Sequence, residues 1–324
     1  MNKKEKKIHL IIAWILLILI AILLFPDKNI ALQAERPHLG QLSSRTIVAP
    51  FKFEVPKTEQ EIQNEKARAA EKVNAIFEFN SDETTRLLRE LEQYLKKLEQ
   101  YGKMQAVIST SKDDGSDPSM QAKVQETSRI YDQLKQRLSI TAIKPLSTNS
   151  VARDSLMSVF YQMMQKGVSN TLLAKTETEV SLFCNNYNIK NVKSLIYNKP
   201  FISLIKENEE NTIDISEVQP MQRRIDEAFS QLQRAFSVEQ GLQSAFYEAL
   251  YVFTSPNIFY LEKETEARKL NASNKVTLIK GMVPRGMEIV TQGAPITKEI
   301  LEKIDALQMA QQSEENAKKL TAPY

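Results

Sequence analysis

Histidine and cysteine, two of the residue types that bind catalytic metals, are scarce in this chain. Histidine occurs only at His9 and His38, and Cys184 is the single cysteine among 324 residues. A site that needs three imidazoles, a cysteine-based zinc site and an intramolecular disulfide are therefore excluded. His9 begins an apolar run and His38 follows it, so a membrane would separate them. The sequence predicts no metal site and no cofactor, and it predicts that Cys184 is buried and inert.

Several short patterns resemble functional motifs, but each lacks a part that its chemistry requires. Gly281 and Gly286 have the glycine spacing of a phosphate-binding loop. That loop continues with Lys and a hydroxyl residue, whereas Met287 and Glu288 follow here. Two Ser-x-x-Lys pairs lack the accompanying Lys-Thr-Gly and Ser-Asp-Asn motifs; they are Ser109–Lys112 and Ser203–Lys206. An acidic loop lacks the final glutamate of an EF-hand; its aspartates are Asp113, Asp114 and Asp117. No catalytic residue is predicted, and the ligand-binding residues stay unknown.

The composition suits a helical globular region with a charged start. Only eight residues are glycine, which is low against an average of about 7% and favours helix. The first seven residues hold four lysines and one glutamate, and their charge of +3 equals the net charge of the whole chain. Because the remaining residues sum to zero, no nucleic-acid partner is predicted.

The apolar run from Ile8 to Phe25 contains no Asp, Glu, Lys or Arg over 18 residues. As a helix it would span about 27 Å, close to a bilayer core. The preceding lysines predict a cytoplasmic start at residues 1–7 and an extracytoplasmic continuation from the cell (inner) membrane. A cleaved signal peptide is less favoured because its apolar region is usually shorter, and Leu32 occupies position −3 of the best cleavage site. A buried core helix is the remaining alternative.

The region after this segment is predicted to be α+β and mainly helical. A polar linker at 26–44 precedes an extracytoplasmic domain at 45–310, and a loose tail follows at 311–324. Alternating and β-branched residues predict four short strands from the two ends of the domain, which are expected to form one small sheet. These strands lie near residues 46–55, 75–79, 276–280 and 288–291.

Helix-spaced leucines and phenylalanines predict a helical lobe at about 82–255. Thr58 with Glu61 forms a capping box, Gly167 is expected to end a helix, and Thr297 is expected to begin the last one. Residues 171–186 are predicted as helix and residues 144–150 as a linker. Gly281 is predicted to lie in a turn.

Two stretches resemble the start and the end of one family of extracellular domains. The first is TIVAPFKFEV at 46–55, followed by Thr58 and an alanine-rich helix to Val73. The second combines SPNIF at 255–259, Thr265 and Arg268, and GMEIVTQGAPIT at 286–297. They are similar to the extracytoplasmic domain of the seven-transmembrane HD-domain phosphodiesterases, which hydrolyse cyclic-di-AMP. The closing stretch is the more specific, and the order of parts matches from residue 1 to about 310. Ala75 and Met287 depart from the proline and acidic residue common in the family.

The resemblance implies a sensory or regulatory domain that is inactive by itself. The membrane bundle and catalytic HD domain of the family have no counterpart here, since no histidine is adjacent to aspartate, and their metal-binding and catalytic residues cannot be carried over. Expected partners are the membrane, an unknown extracytoplasmic ligand or protein, and either a second copy or the missing C-terminal region. Two other hypotheses remain: a free-standing membrane-anchored scaffold protein of the envelope, and an extracytoplasmic enzyme without a familiar motif.

Overall fold

The structure, a computed structural model, describes Trp14 and residues 37–110, 118–237 and 239–321. The predicted membrane segment at 8–25 lies outside these residues except for Trp14. Among the helices that are described, none has the length and apolar character needed to cross a bilayer. The chain divides into two compact units. We call them the terminal unit, from Met1–Glu65 and Val276–Tyr324, and the central unit, Lys66–Lys275.

The described elements confirm an α+β fold that is mainly helical. The strands are β1 Ile47–Val48, β2 Phe53–Pro56, β3 Ile76–Phe79, β4 Leu172–Ala174, β5 Ser194–Ile196, β6 Phe201–Lys206, β7 Glu209–Asp214, β8 Ile258–Tyr260, β9 Ile279–Val283 and β10 Glu288–Val290. The helices are α1 Glu59–Lys72, α2 Ser81–Thr110, α3 Pro118–Leu134, α4 Ile140–Thr148, α5 Ser150–Lys166, α6 Glu177–Tyr187, α7 Met221–Ala235, α8 Gln240–Phe253, α9 Glu262–Asn274 and α10 Lys298–Thr321.

In the terminal unit, strands from the two ends of the domain pair with each other, but they form two separate two-stranded sheets where one sheet is predicted. β1 pairs with β10 and β2 pairs with β9, both antiparallel. Alternate residues of β2, Phe53 and Val55, are buried against Ile304 and Leu307 of α10. Gly281 lies opposite Val55 within β9, so its predicted turn is wrong. Helix α10 continues to Thr321, so residues 311–321 are regular structure where a loose tail is predicted.

The prediction of one sheet that includes residues 75–79 is wrong. These residues form β3, which lies inside a four-stranded sheet of the central unit in the order β7-β6-β3-β8. β3 runs parallel to β6 and antiparallel to β8. Three of its four residues are buried, and Phe77 is inaccessible to solvent. β3 is thus a central strand with a partner on each edge, whereas the paired strands of the terminal unit each have one partner.

The helical core of the central unit confirms the helix-spaced apolar stripes. Leu91 and Leu98 of α2, Phe160 of α5 and Phe246 of α8 are completely buried in it. Residues 144–148 are helical although a linker is predicted, because Leu146 of α4 is buried in the same core despite the neighbouring Pro145. Residues 172–174 form β4 instead of helix, because Leu172 N–H donates to the carbonyl of Lys193 at 2.8 Å.

Candidate ligand-binding cleft

Of the two Ser-x-x-Lys pairs, only Ser203–Lys206 lies wholly within the described residues, and it does not form a catalytic arrangement. Ser203 and Lys206 both lie on β6, and their odd spacing places them on opposite faces of the strand. The Lys206 ammonium lies 4.6 Å from the ring centre of Phe79. Ser109 Oγ donates to the Ala106 carbonyl at 2.9 Å. Lys112, His9 and the three aspartates near Gly115 fall outside the described residues, and His38 is exposed.

Cys184 is half-buried on α6, so it is more accessible than the full burial that the sequence predicts. Within the described ranges, no group of three or more His, Cys, Asp or Glu side chains is arranged to hold a metal ion.

The residues that carry the family resemblance in the central unit organise its fold. Asn257 is fully buried, and its Oδ1 accepts a hydrogen bond from the Val168 backbone N–H at 2.6 Å. Its Nδ2 donates to Thr84 Oγ1 at 2.7 Å and to the Met164 carbonyl at 2.9 Å. Thr265 accepts from the Ile76 N–H at 3.0 Å and thereby fixes the start of β3. These residues join α2, α5, β3 and β8.

The glycines and caps of the motifs also have conformational roles. Gly286 and Gly293 adopt φ of 81° and 82°, which favours glycine. Thr58 and Glu61 form the predicted capping box, with the Glu61 N–H donating to Thr58 Oγ1 at 3.2 Å. Thr297 Oγ1 accepts from the Ile300 N–H at 3.3 Å. The motif residues of both units thus have structural roles.

A cleft in the central unit is the best candidate for a ligand site. It is bordered by β4, one face of α6 and the solvent-facing side of α7, and its volume is about 470 Å³. Sites for small molecules typically measure roughly 300–1,000 Å³ and combine an apolar wall with a few polar groups. The polar lining consists of Glu179, Asn186, Tyr187, Arg223 and Asp226.

Helix α6 supplies the aromatic wall of the cleft. Its first turn is fixed by Thr176, whose Oγ1 accepts from the Glu179 N–H at 3.2 Å, and it ends at Asn188 in the left-handed conformation with φ of 52°. Phe183 and Tyr187 are one helical turn apart, and their ring centres lie 4.8 Å from each other. Phe183 is buried, whereas Tyr187 is half-buried with its hydroxyl group directed to α7.

Helix α7 supplies two opposite charges on one face. The Arg223 guanidinium carbon lies 5.3 Å from the ring centre of Phe183, in cation–π geometry, and its Nη1 donates to Gln219 Oε1 at 3.4 Å. Asp226 Oδ2 accepts from the Tyr187 hydroxyl at 2.6 Å. Within the part of the chain that the structure describes, neither Arg223 nor Asp226 forms an ion pair. The two charges therefore face the cleft without neutralising each other.

The environment of Tyr187, which includes Asp226, gives this residue a pKa different from that of an ordinary surface tyrosine. Burial, and then the hydrogen bond to the Asp226 carboxylate, raise the pKa of Tyr187 to about 12. The phenol is protonated at physiological pH, as an ordinary tyrosine is, and it donates to the Asp226 carboxylate. One carboxylate oxygen is thus held in place, and the other is left to accept from a ligand.

The buried side chain of Arg224 anchors α7, the helix that carries the charged face. Arg224, next to Arg223, is buried, and its Nε donates to the Gly167 carbonyl at 3.0 Å. It also donates to the Glu217 carbonyl and forms an ion pair with Glu227 at 2.8 Å. Since Gly167 ends α5 with φ of 85°, Arg224 ties the start of α7 to the end of α5.

A second depression lies on α7 and α8, and it is predominantly apolar. Its volume is about 680 Å³, and its aromatic lining is Phe229, Tyr247 and Tyr251. Phe229 and Tyr247 meet edge to face with ring centres 5.4 Å apart. This groove has no charged pair comparable with that of the cleft, since its one carboxylate, Glu248, accepts hydrogen bonds from Ser139. The cleft is therefore the better site for a polar small molecule.

Comparison with known proteins assigns the family. The family model described as 7TM-HD extracellular matches residues 38–311. The chain belongs to this family of extracellular domains, as the two sequence stretches indicate. The bulk of the chain is accordingly an extracytoplasmic sensory domain of a membrane-associated 7TM-HD protein, and the matched region does not include a catalytic HD domain. No curated protein and no solved structure gives a significant match.

The cleft residues carry no distinctive sequence signal. Arg223 and Asp226 have the spacing of an ordinary helical ion pair, and Tyr187 ends a helix of mixed composition. Contacts between α6 and α7, which are separated in the sequence, bring the three together. The feature that distinguishes the cleft is structural: two unpaired opposite charges lie beside a pair of aromatic rings.

Proposed function

We propose that this chain is the signal-receiving part of a membrane-bound phosphodiesterase that hydrolyses cyclic-di-AMP in the cytoplasm. Residues 1–7 remain in the cytoplasm, residues 8–25 cross the membrane once, and the rest lies outside. The single observation that supports this assignment most strongly is the family match over residues 38–311. The membrane bundle and the HD domain that would contain the catalytic metal site lie outside the matched region.

The cleft offers a physical route for regulation. A ligand that contacts Tyr187 on α6 and Arg223 on α7 stabilises the arrangement of these two helices in which both contacts form. A ligand shifts a conformational equilibrium only by its difference in affinity for the two states. The cleft variants that weaken binding should therefore also change the response of the phosphodiesterase.

The test requires the complete protein encoded at this locus, reconstituted in proteoliposomes. Cyclic-di-AMP hydrolysis is compared for the wild type, Asp226→Asn and a matched control, Asp132→Asn, on the exposed side of α3. We expect Asp226→Asn to change the rate of hydrolysis, or the response of that rate to cell extract added on the extracytoplasmic side. The control should behave as wild type. A reading frame without an HD domain, or a protein that does not hydrolyse cyclic-di-AMP, would contradict the proposal.

A further inference from the structure

We infer that the cleft binds a small zwitterion, namely a free α-amino acid or a short peptide with free ends. This inference rests on the proposed sensory function and specifies the ligand of the same site. It starts from three observations: two unpaired opposite charges, an aromatic wall that holds one of them, and a volume of about 470 Å³.

The two charges are positioned for one ligand with both signs. Arg223 and Asp226 are three residues apart on α7, which places them on the same face of the helix with Cβ atoms roughly 5–6 Å apart. Each is nevertheless directed to a different partner on α6: Arg223 to the ring of Phe183, and Asp226 to the hydroxyl of Tyr187. An α-amino acid carries a carboxylate and an ammonium group on the same carbon atom and fits between such charges.

Each charge is matched to one end of that ligand. The planar guanidinium of Arg223 binds a carboxylate through two parallel hydrogen bonds, and its stacking on Phe183 restricts its orientation beforehand. The Asp226 carboxylate binds an ammonium group, and the Tyr187 hydroxyl already holds one of its oxygens. The opposite order is excluded, since an ammonium group at Arg223 and a carboxylate at Asp226 would meet like charges.

Alternative ligand classes fit the lining less well. A phosphorylated or multiply anionic ligand would have one arginine to bind it and two carboxylates, Asp226 and Glu179, to repel it. A purely apolar ligand would leave both charges of α7 unsatisfied on burial. Strand β4, which borders the cleft, pairs only with β5 among the described strands.

Binding is measured by isothermal titration calorimetry on the full chain in lipid nanodiscs. The probes are the twenty free amino acids and the dipeptide L-alanyl-L-alanine. Any probe that binds is compared with its N-acetylated form, which lacks the ammonium group, and its amidated form, which lacks the carboxylate. We expect saturable binding of at least one zwitterion, and a loss of roughly 10- to 100-fold in affinity for each blocked form.

Two variants assign the ends of the ligand to the two residues. Arg223→Gln should lower the affinity for the zwitterion by roughly 10- to 100-fold but leave the lower affinity for the amidated form almost unchanged. Asp226→Asn should likewise weaken binding of the zwitterion but leave the affinity for the N-acetylated form almost unchanged. The matched control pair on α3, Arg129→Gln and Asp132→Asn, has the same spacing and charge change on an exposed surface and should not alter affinity.

The outcomes separate this inference from the proposed function. If no probe binds, or if blocked forms bind as tightly as the zwitterion, the ligand class is wrong, even where Asp226→Asn still alters hydrolysis of cyclic-di-AMP. If a zwitterion binds with the predicted variant pattern but never changes that hydrolysis, the ligand class stands and the regulatory function is contradicted.

Discussion

Replacing Asn257 by alanine should destabilise the central unit strongly, although this residue touches no ligand site. The side-chain amide is fully buried and forms three hydrogen bonds. It joins the end of α5 to the first turn of α2 and to β8. The change to alanine removes all three hydrogen bonds and introduces no new group that could replace them.

The size of the effect depends on which hydrogen bonds the partners of Asn257 keep in the variant. Met164 O still accepts from the Gly167 N–H, and Thr84 Oγ1 still donates to the Asn80 carbonyl. The Val168 N–H, in contrast, loses its acceptor while buried, which costs about 1–3 kcal/mol. Two further lost hydrogen bonds contribute roughly 0.5–1.5 kcal/mol each. The expected loss in unfolding free energy is therefore about 2–6 kcal/mol.

Urea unfolding of the full chain in detergent, followed by far-UV circular dichroism, measures this difference. Asn198→Ala is the matched control, because Asn198 is exposed in the same unit and has no side-chain hydrogen bond to a described residue. The control should lie within about 0.5 kcal/mol of the wild type. A loss below about 1 kcal/mol for Asn257→Ala would refute the assignment of a structural role to this motif residue.

Three further predictions use the same chain. Arg224→Met should lose roughly 2–4 kcal/mol of stability in urea unfolding, because the buried Gly167 carbonyl and the Glu217 carbonyl lose a charged donor, whereas Glu227 keeps its ion pair with Lys166; an unchanged midpoint would contradict this. Gly167→Ala should lower the melting temperature measured by calorimetry, because its φ is 85° and a Cβ would lie 2.3 Å from Ile258 Cδ1; equal melting temperatures would show that the turn relaxes. The backbone N–H of Thr58 and then the ammonium of Lys280 lower the pKa of Glu61 to about 2 from 4.5. Its contribution to stability is thus present above pH 4.5 and lost as the pH falls toward 2, so Glu61→Gln should flatten the acid side of the melting-temperature profile. The control Glu59→Gln should keep the wild-type slope.

Local patterns were sufficient to predict most of the helices. Capping residues such as Thr58 and Thr297 act on backbone groups three residues away, so their signals are contained in short segments. The pairing of β2 with β9 followed from the expectation that both ends of the domain return to the same side. The motif that contains Asn257 was recognised as a family signature, but its buried hydrogen bonds were not foreseen.

Interactions between distant segments explain the errors. The parallel pairing of β3 with β6 depends on Ile76 and Ser203, which are far apart in the sequence. Residues 172–174 have no intrinsic signal that separates strand from helix, and the carbonyl of Lys193 decides between them. The cleft was missed for the same reason, since its charges belong to one helix and its aromatic wall to another.

The central claim is that the central unit lies outside the cytoplasm, and cysteine labelling in intact cells tests it most directly. Asn198 is exposed, so Asn198→Cys in a Cys184→Ser background provides one accessible thiol. We predict that a membrane-impermeant maleimide labels this thiol in intact cells as fully as after permeabilisation. Labelling that appears only once the cytoplasmic membrane is permeabilised would place the unit inside the cell and contradict the account.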